Sequence, residues 1–274
     1  MRRSLPLLLL AFVFPAWAAD EAPVAAEETL DGREIVARCD YKYPGEDQQS
    51  KLTIRLRDRS GNQKTTVYLR LWKDYKGKDG IQEKMVLFTL YPPDAKGAAF
   101  MRWAYVPEMG KNAEQWIYLP VLRKIRRVSV RDLGDSFLGS DLTYGDISLR
   151  RVDDDEHRFL RLEKDKKGRE FFVVESIPKE PDSIYSRKIN WFRKAKEWEQ
   201  CVKTRVDYYD RKGLFLKRQL LTWQQVGKAW AWDRVYVQNV QTFHTSFFQV
   251  RDVKPNIGLG DDWFTERRLR LGIQ

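Results

Sequence analysis

Hydrophobic and polar positions alternate in short runs along most of this chain. In 51–57, Leu52, Ile54 and Leu56 fall on one face and Lys51, Thr53, Arg55 and Arg57 on the other. That is the period of a strand with one covered face. Residues 65–72 place Val67, Leu69 and Leu71 together. The run 84–91 stops at Pro92-Pro93, 98–105 stops before Pro107, and 115–119 stops at Pro120. Proline cannot donate to a central ladder, so each stop ends a strand. Further strands are expected over 157–163, 170–175, 188–192, 202–209, 214–223, 229–237 and 242–250. The turns Lys166–Gly168, Asp210–Gly213 and Gln225–Lys228 separate several of them.

Helical periodicity is confined to the ends. Ile35, Val36 and Cys39 give 30–39 one apolar stripe, with Asp31 placed to cap it. Residues 261–270 read as a short helix, and 134–146 hold a short helical piece. No βαβ alternation occurs, so the sheet should be antiparallel. The expected fold is mainly β with a few helices: a strongly curved antiparallel sheet, a half-open barrel of roughly 10–12 strands covered by short helices. Its concave face is either filled by its own side chains or open to an apolar ligand.

The ends change the picture. A basic head, Arg2-Arg3, precedes an apolar run from Leu5 to Pro15 and the small-residue site Ala16-Trp17-Ala18. This reads as a secretory signal peptide over 1–18, the run being too short to span a bilayer. Residues 19–29 read as a disordered leader, and 30–274 as one domain. Net charge is +11, with Arg2 and Arg3 contributing two of the charges. Such a balance favours acidic partners or membrane surfaces; export argues against nucleic acid. Cys39 and Cys201 are 162 positions apart, and either a disulfide or two separate buried thiols fits. His157 and His244 stand at no metal-ligand spacing, and neither a metal nor a cofactor is expected.

The segment 116–146 concentrates the candidate chemistry. A strand is followed by Arg123, Lys124, Arg126, Arg127 and Arg131, then by a serine- and aspartate-rich loop. Ser136 and Ser140 lack a strand-to-helix elbow and an evident base, so catalysis is not expected. Asp135, Ser136, Ser140 and Asp141 are read as tying a covering segment down, against Arg126 and Arg127. The acidic run 153–156 reads as a solvated loop.

The motif consists of Trp116-x-Tyr118-x-Pro120, then Arg123, Lys124, Arg126 and Arg127, then Asp135, Ser136, Phe137, Gly139, Ser140, Asp141, Thr143, Tyr144 and Asp146. It resembles the outer-membrane lipoprotein-sorting-like proteins of the LolA/LolB superfamily, in the branch associated with RND-type exporters. Gly32-x-x-Ile35-Val36, the 209–214 hairpin and Phe264–Leu269 are also similar. The resemblance implies a periplasmic, non-enzymatic protein that carries a lipid or lipoprotein acyl chain in an apolar cavity toward the outer membrane. It also implies an RND-type exporter as a partner; a monomer is expected. A free lipid or hydrophobic metabolite fits the cavity equally well. Leu69, Leu71, Phe88, Met101, Trp103 and Trp116 are expected to line it, although several strands carry rings on both faces. The rival reading is an adaptor that docks an exporter or an anionic membrane through its basic surface.

Overall fold

The computed structural model of the protein describes residues 31–273, with the backbone alone for Val130 and Arg131. The expected export segment and leader lie outside the described residues. Thirteen strands form one antiparallel sheet. They are β1 (Asp47–Arg57), β2 (Gln63–Asp74), β3 (Ile81–Tyr91), β4 (Ala99–Tyr105), β5 (Glu114–Leu119), β6 (Lys124–Val128), β7 (Asp155–Lys164), β8 (Glu170–Pro178), β9 (Tyr185–Arg193), β10 (Val202–Asp210), β11 (Phe215–Val226), β12 (Ala229–Asn239) and β13 (Thr245–Pro255). The order is β6-β5-β4-β3-β2-β1-β13-β12-β11-β10-β9-β8-β7. Two meanders, β1–β6 and β7–β13, therefore meet at the β1–β13 pair. The sheet is curved and stays open, as expected of a half-open barrel.

The proline stops act as read. Pro93, Pro107 and Pro120 each open a one-turn 3₁₀ helix directly after a strand, where their missing N–H costs nothing. β6 is not among the sheet strands expected above; by itself its basic stretch reads only as solvated and paired with nearby aspartates, and Arg126 does pair with Asp132. The basic stretch is the sheet edge, with Lys124, Arg126 and Arg127 projecting from it. Charge on an edge discourages pairing with another chain.

Edges β6 and β7 follow one another in sequence yet lie at opposite ends of the sheet. The connection, residues 129–154, has to travel between them. Structureless connections of that length are uncommon in compact folds unless they serve a function. This one is a strap packed on the inner face. Its Phe137, Leu142 and Tyr144 join Leu52, Ile54, Phe100, Tyr208, Val237 and Phe248 in one core. The outer face of β2–β5 is covered instead by the C-terminal segment. The expected helix there divides into a 3₁₀ turn, Asp261–Phe264, and α2 (Glu266–Leu271). Thr265 caps α2 by accepting from the Arg268 N–H at 3.1 Å. Phe264 and Leu269 are fully buried against Leu71, Val86, Phe88 and Met101. Burial of this kind stabilises by about 1.5–3 kcal/mol per side chain.

Helix α1 (Gly32–Cys39) starts as expected, with Asp31 Oδ1 accepting from the Arg33 N–H at 3.1 Å. It packs on β7 and β8. The approach is close: a β-carbon on Gly32 would stand 2.6 Å from the Phe159 amide nitrogen. Cys39 and Cys201 are joined in a disulfide, which settles the pairing left open by the sequence. Arg38 lies over the Trp198 ring, and Lys203 pairs with Asp40 at 2.6 Å. Because the disulfide closes a loop of 162 positions, Cys39→Ala with Cys201→Ala should lower stability by about 2–5 kcal/mol. Urea unfolding of the variant against the oxidised wild type measures this; coincident midpoints would refute it.

Candidate functional site

The strap is built to hold still. The Ser129 N–H donates to Asp132 Oδ2 at 3.2 Å and starts its first turn. Farther on, Gly139 takes φ +81° at a tight reversal, a conformation a β-carbon would strain. The Phe137 N–H donates to the Leu142 carbonyl at 2.7 Å across that reversal. Phe137 meets Phe100 and Tyr144 edge-to-face at 5.1 and 5.6 Å, an arrangement favourable beyond area alone.

Two aspartates then fasten the strap to the far half of the sheet. Asp141 Oδ2 accepts from Ser246 Oγ at 2.6 Å and from His244 Nδ1 at 2.8 Å. The Asp141 N–H donates back to Ser246 Oγ at 2.9 Å. Asp146 Oδ2 accepts from Lys217 Nζ at 2.6 Å, Tyr185 Oη at 2.8 Å and the Thr143 N–H at 2.9 Å. Lys217 also donates to the Asp141 carbonyl at 2.6 Å, and only 2 % of its surface is exposed. Burial works to raise the Asp146 carboxyl, but the Lys217 ammonium, the Thr143 N–H and the Lys188 charge outweigh it and hold it below the usual range. Burial and the Asp146 charge push the Tyr185 phenol well up, so it stays a donor.

Between the inner face, the strap and α1 lies a cavity of about 1120 Å³. Trp72, Tyr208, Leu221, Trp223 and Trp232 line it from the sheet, and Ile147 and Leu149 from the strap. Charged groups line it too: Arg70, Glu83, Arg102, Asp146, Arg150, Asp155 and Lys188. Exposed Tyr41, Asp182 and Arg211 mark where it opens to solvent. A second cavity of about 230 Å³ is walled by Leu52, Met85, Leu87, Phe137, Phe248 and Val250. The two share Lys42, Pro44, Arg70, Arg102, Ile147, Trp223 and Trp232 as lining. The larger volume is at the upper end of small-molecule sites.

Several expectations need correction. Leu69, Leu71, Phe88, Met101, Trp103 and Trp116 do come together, but on the outer face under α2, and they line neither cavity. The register explains it: Leu71, Val86, Met101 and Trp116 stand opposite one another across β2–β5, and successive side chains alternate faces. Tyr118 joins the same outer cluster. Pro120 and Arg123 form the β5–β6 turn. Arg126 and Arg127 do not hold the aspartates and serines; Arg126 pairs with Asp132 at 3.2 Å, and Arg127 pairs with Glu114. The acidic run is not wholly solvated, since Asp155 is buried and paired with Arg150.

The serines weighed for catalysis hydrogen-bond within the strap. Ser136 Oγ donates to the Ser140 carbonyl, and Ser140 Oγ accepts from the Leu142 N–H at 3.2 Å. Asp135 spans the loop with its backbone, its carbonyl accepting from the Tyr144 N–H. His157 Nδ1 meets Ser176 Oγ at 2.8 Å, and Asn190 Nδ2 also donates to that hydroxyl. Sequence reading missed Arg70, Lys217 and Ser246. Each is a polar strand residue that faces inward, against the rule that polar side chains meet water.

A family model described only as uncharacterized protein matches residues 81–271, well over half of the chain. The chain belongs to that family. The match runs from β3 to α2 and includes the whole strap. Among solved structures, the chain is similar to a domain assigned to outer membrane lipoprotein sorting from Vibrio parahaemolyticus: 26% identity, 87% of this chain and 98% of that one, TM-score 0.75. It is also similar to a DUF1329 family protein from Desulfovibrio piger: 23% identity, 87% and 97%, TM-score 0.78. A LolA superfamily protein from Nitrosomonas europaea shares 18% identity over 87% and 99%, TM-score 0.65. The last two likenesses show the fold, a half-open barrel. No curated protein matches the chain.

Removing the Asp146 charge strands a buried ammonium. Asp146→Asn should cost about 3–5 kcal/mol at neutral pH. The folded carboxyl lies below its unfolded value, so its contribution is full above about pH 4 and fades as pH falls through the folded value. The gap between wild type and variant in urea unfolding should therefore close in acid. A gap unchanged down to pH 2 would refute this.

Proposed function

We propose that the protein is a periplasmic, non-enzymatic carrier that holds a lipid or lipoprotein acyl chain for transport toward the outer membrane. The observation that carries this is the cavity of about 1120 Å³ under the strap, joined by shared walls to the apolar one of about 230 Å³. An interior left unfilled is costly in a domain whose core otherwise packs tightly, and a ligand that enters it gains buried apolar area. At 26% identity, the likeness to a domain assigned to outer membrane lipoprotein sorting supports the same reading. We take 1–18 as its export signal, 19–29 as a leader and 30–274 as a single carrier domain acting as a monomer, with an RND-type exporter as partner. The motif residues of the strap serve as a fixed roof in this reading.

Native mass spectrometry of the protein isolated from membranes should find a co-purified lipid, and the delipidated protein should take up a fluorescent fatty acid. Ala231 is nearly buried and lines the smaller cavity, so Ala231→Trp should reduce uptake several-fold. Neither lipid nor uptake in the wild type would sink the carrier reading.

The adaptor reading keeps one specific observation in its favour. At the β5–β6 turn, Val121 is 90% exposed and Leu122 59%, beside Arg123 and Lys124. An apolar tip beside two cations suits an anionic membrane surface. Arg123→Glu with Lys124→Glu should abolish co-sedimentation with anionic vesicles while fatty-acid uptake persists. Unchanged sedimentation would remove this reading.

A further inference from the structure

The wall shared by the two cavities carries an excess of positive charge. Arg70 and Arg102 project to the inner face from neighbouring register rows. Arg70 stands opposite Leu87 on β3, and Arg102 opposite Met85. Arg102 pairs with Glu83, whose other oxygen accepts from Trp72 Nε1 at 2.8 Å. Glu83 is thereby used on both sides. Arg70 is left with a neutral partner: its Nη1 donates to Gln48 Oε1 at 2.7 Å. The Gln48 amide is itself held by Nε2 donating to the Pro44 carbonyl at 3.0 Å, which turns its oxygen toward Arg70. Among the described residues no carboxylate lies within ion-pair distance of Arg70. Lys42, on the same shared wall, donates to the Trp198 and Glu199 carbonyls, again neutral acceptors.

A half-buried guanidinium in a cavity wall, with a neutral hydrogen-bond partner and no carboxylate at ion-pair distance, is stabilised by an anion that reaches it; the more distant Glu83 charge offsets only part of its burial. Burial lowers the Arg70 pKa to about 10, which still leaves the charge present at neutral pH. Its fork suits the two oxygens of a carboxylate or phosphate. On one side of it lies a wall of Leu52, Met85, Leu87, Phe248 and Val250; on the other lies the larger cavity, whose lining is the more polar of the two.

We propose that the ligand is an anionic amphiphile, its carboxylate or phosphate head held by Arg70 at the junction of the two cavities and its chain in the apolar one. This deepens the carrier reading and rests on it. A neutral lipid would leave Arg70 with only neutral acceptors such as Gln48, so the site discriminates by head-group charge.

The test is displacement of a fluorescent fatty acid from the delipidated full-length mature protein by four competitors. They are a fatty acid, a monoalkyl phosphate and a fatty alcohol of one chain length, and inorganic phosphate alone. The acid or the alkyl phosphate should compete at least about tenfold better than the alcohol, the scale of one charge-assisted hydrogen bond. Whichever is stronger identifies the head group. Inorganic phosphate alone should not displace the probe. Arg70→Gln should bring acid and alcohol to equal affinity without weakening the alcohol; Arg70→Lys should keep part of the preference. Equal competition by acid and alcohol in the wild type overturns the proposal without any variant and leaves the carrier reading standing. Failure of the wild type to bind either the probe or the alcohol overturns both.

Discussion

The ion pair between Lys217 and Asp146 is the constraint on which the inner architecture depends. The chain must cross from edge β6 to edge β7, and the 129–154 strap that does so has to be fastened at its far end. A lysine near the start of β11 reaches the strap with one ammonium that serves Asp146 and the Asp141 carbonyl together. Burying such a pair costs several kcal/mol in lost hydration. The cost is offset because Tyr185 and the Thr143 N–H also satisfy the carboxylate, and because the tyrosine rings 185 and 208 lie beside the ammonium. The pair gives the strap one register rather than a set of sliding ones.

With the strap fixed, the rest of the site follows. Phe137 and Tyr144 are carried onto Phe100 and seal one side of the enclosed space. Helix α1 closes another side, held by the disulfide to Cys201 and by a contact so close that only glycine fits at position 32. The two roof elements meet where Arg33 pairs with Asp153 at 2.7 Å, and the volume they enclose with the sheet stays unfilled. On the outer face of β2–β5 the C-terminal Phe264 and Leu269 pack directly onto the sheet, whereas the inner face keeps its cavity. The polar residues of the hollow face have to find partners inside. Arg102 does so with Glu83, whereas Arg70 keeps donors in reserve.

Local pattern was enough for most elements. Alternation, prolines and glycine turns located twelve of the thirteen strands and both terminal helices, because these features act through neighbouring residues in the chain. It was not enough for β6, whose run of cations reads as a solvated patch until the sheet edge gives it a ladder partner in β5. It was also not enough for the cavity lining. On β2, β3 and β4 both faces are covered, so the period-two pattern shows that side chains alternate without showing which set turns inward. Leu69 and Leu71 looked inward by polarity, yet Tyr68, Arg70 and Trp72 are the residues on the hollow side. The rule that polar side chains face water fails wherever a distant segment supplies their partners.

The sequence by itself determined an antiparallel, strongly curved β fold with capped ends, and the motif by which the strap can be recognised. Those depend on short-range periodicity, turn chemistry and the refusal of proline to continue a ladder. Only the tertiary structure decided that Cys39 meets Cys201, that Asp146 meets Lys217 across 71 positions, and which face of the sheet is hollow. Each of these is a contact between segments far apart in the chain. Sequence spacing carries no information about such contacts until the sheet order brings the segments together.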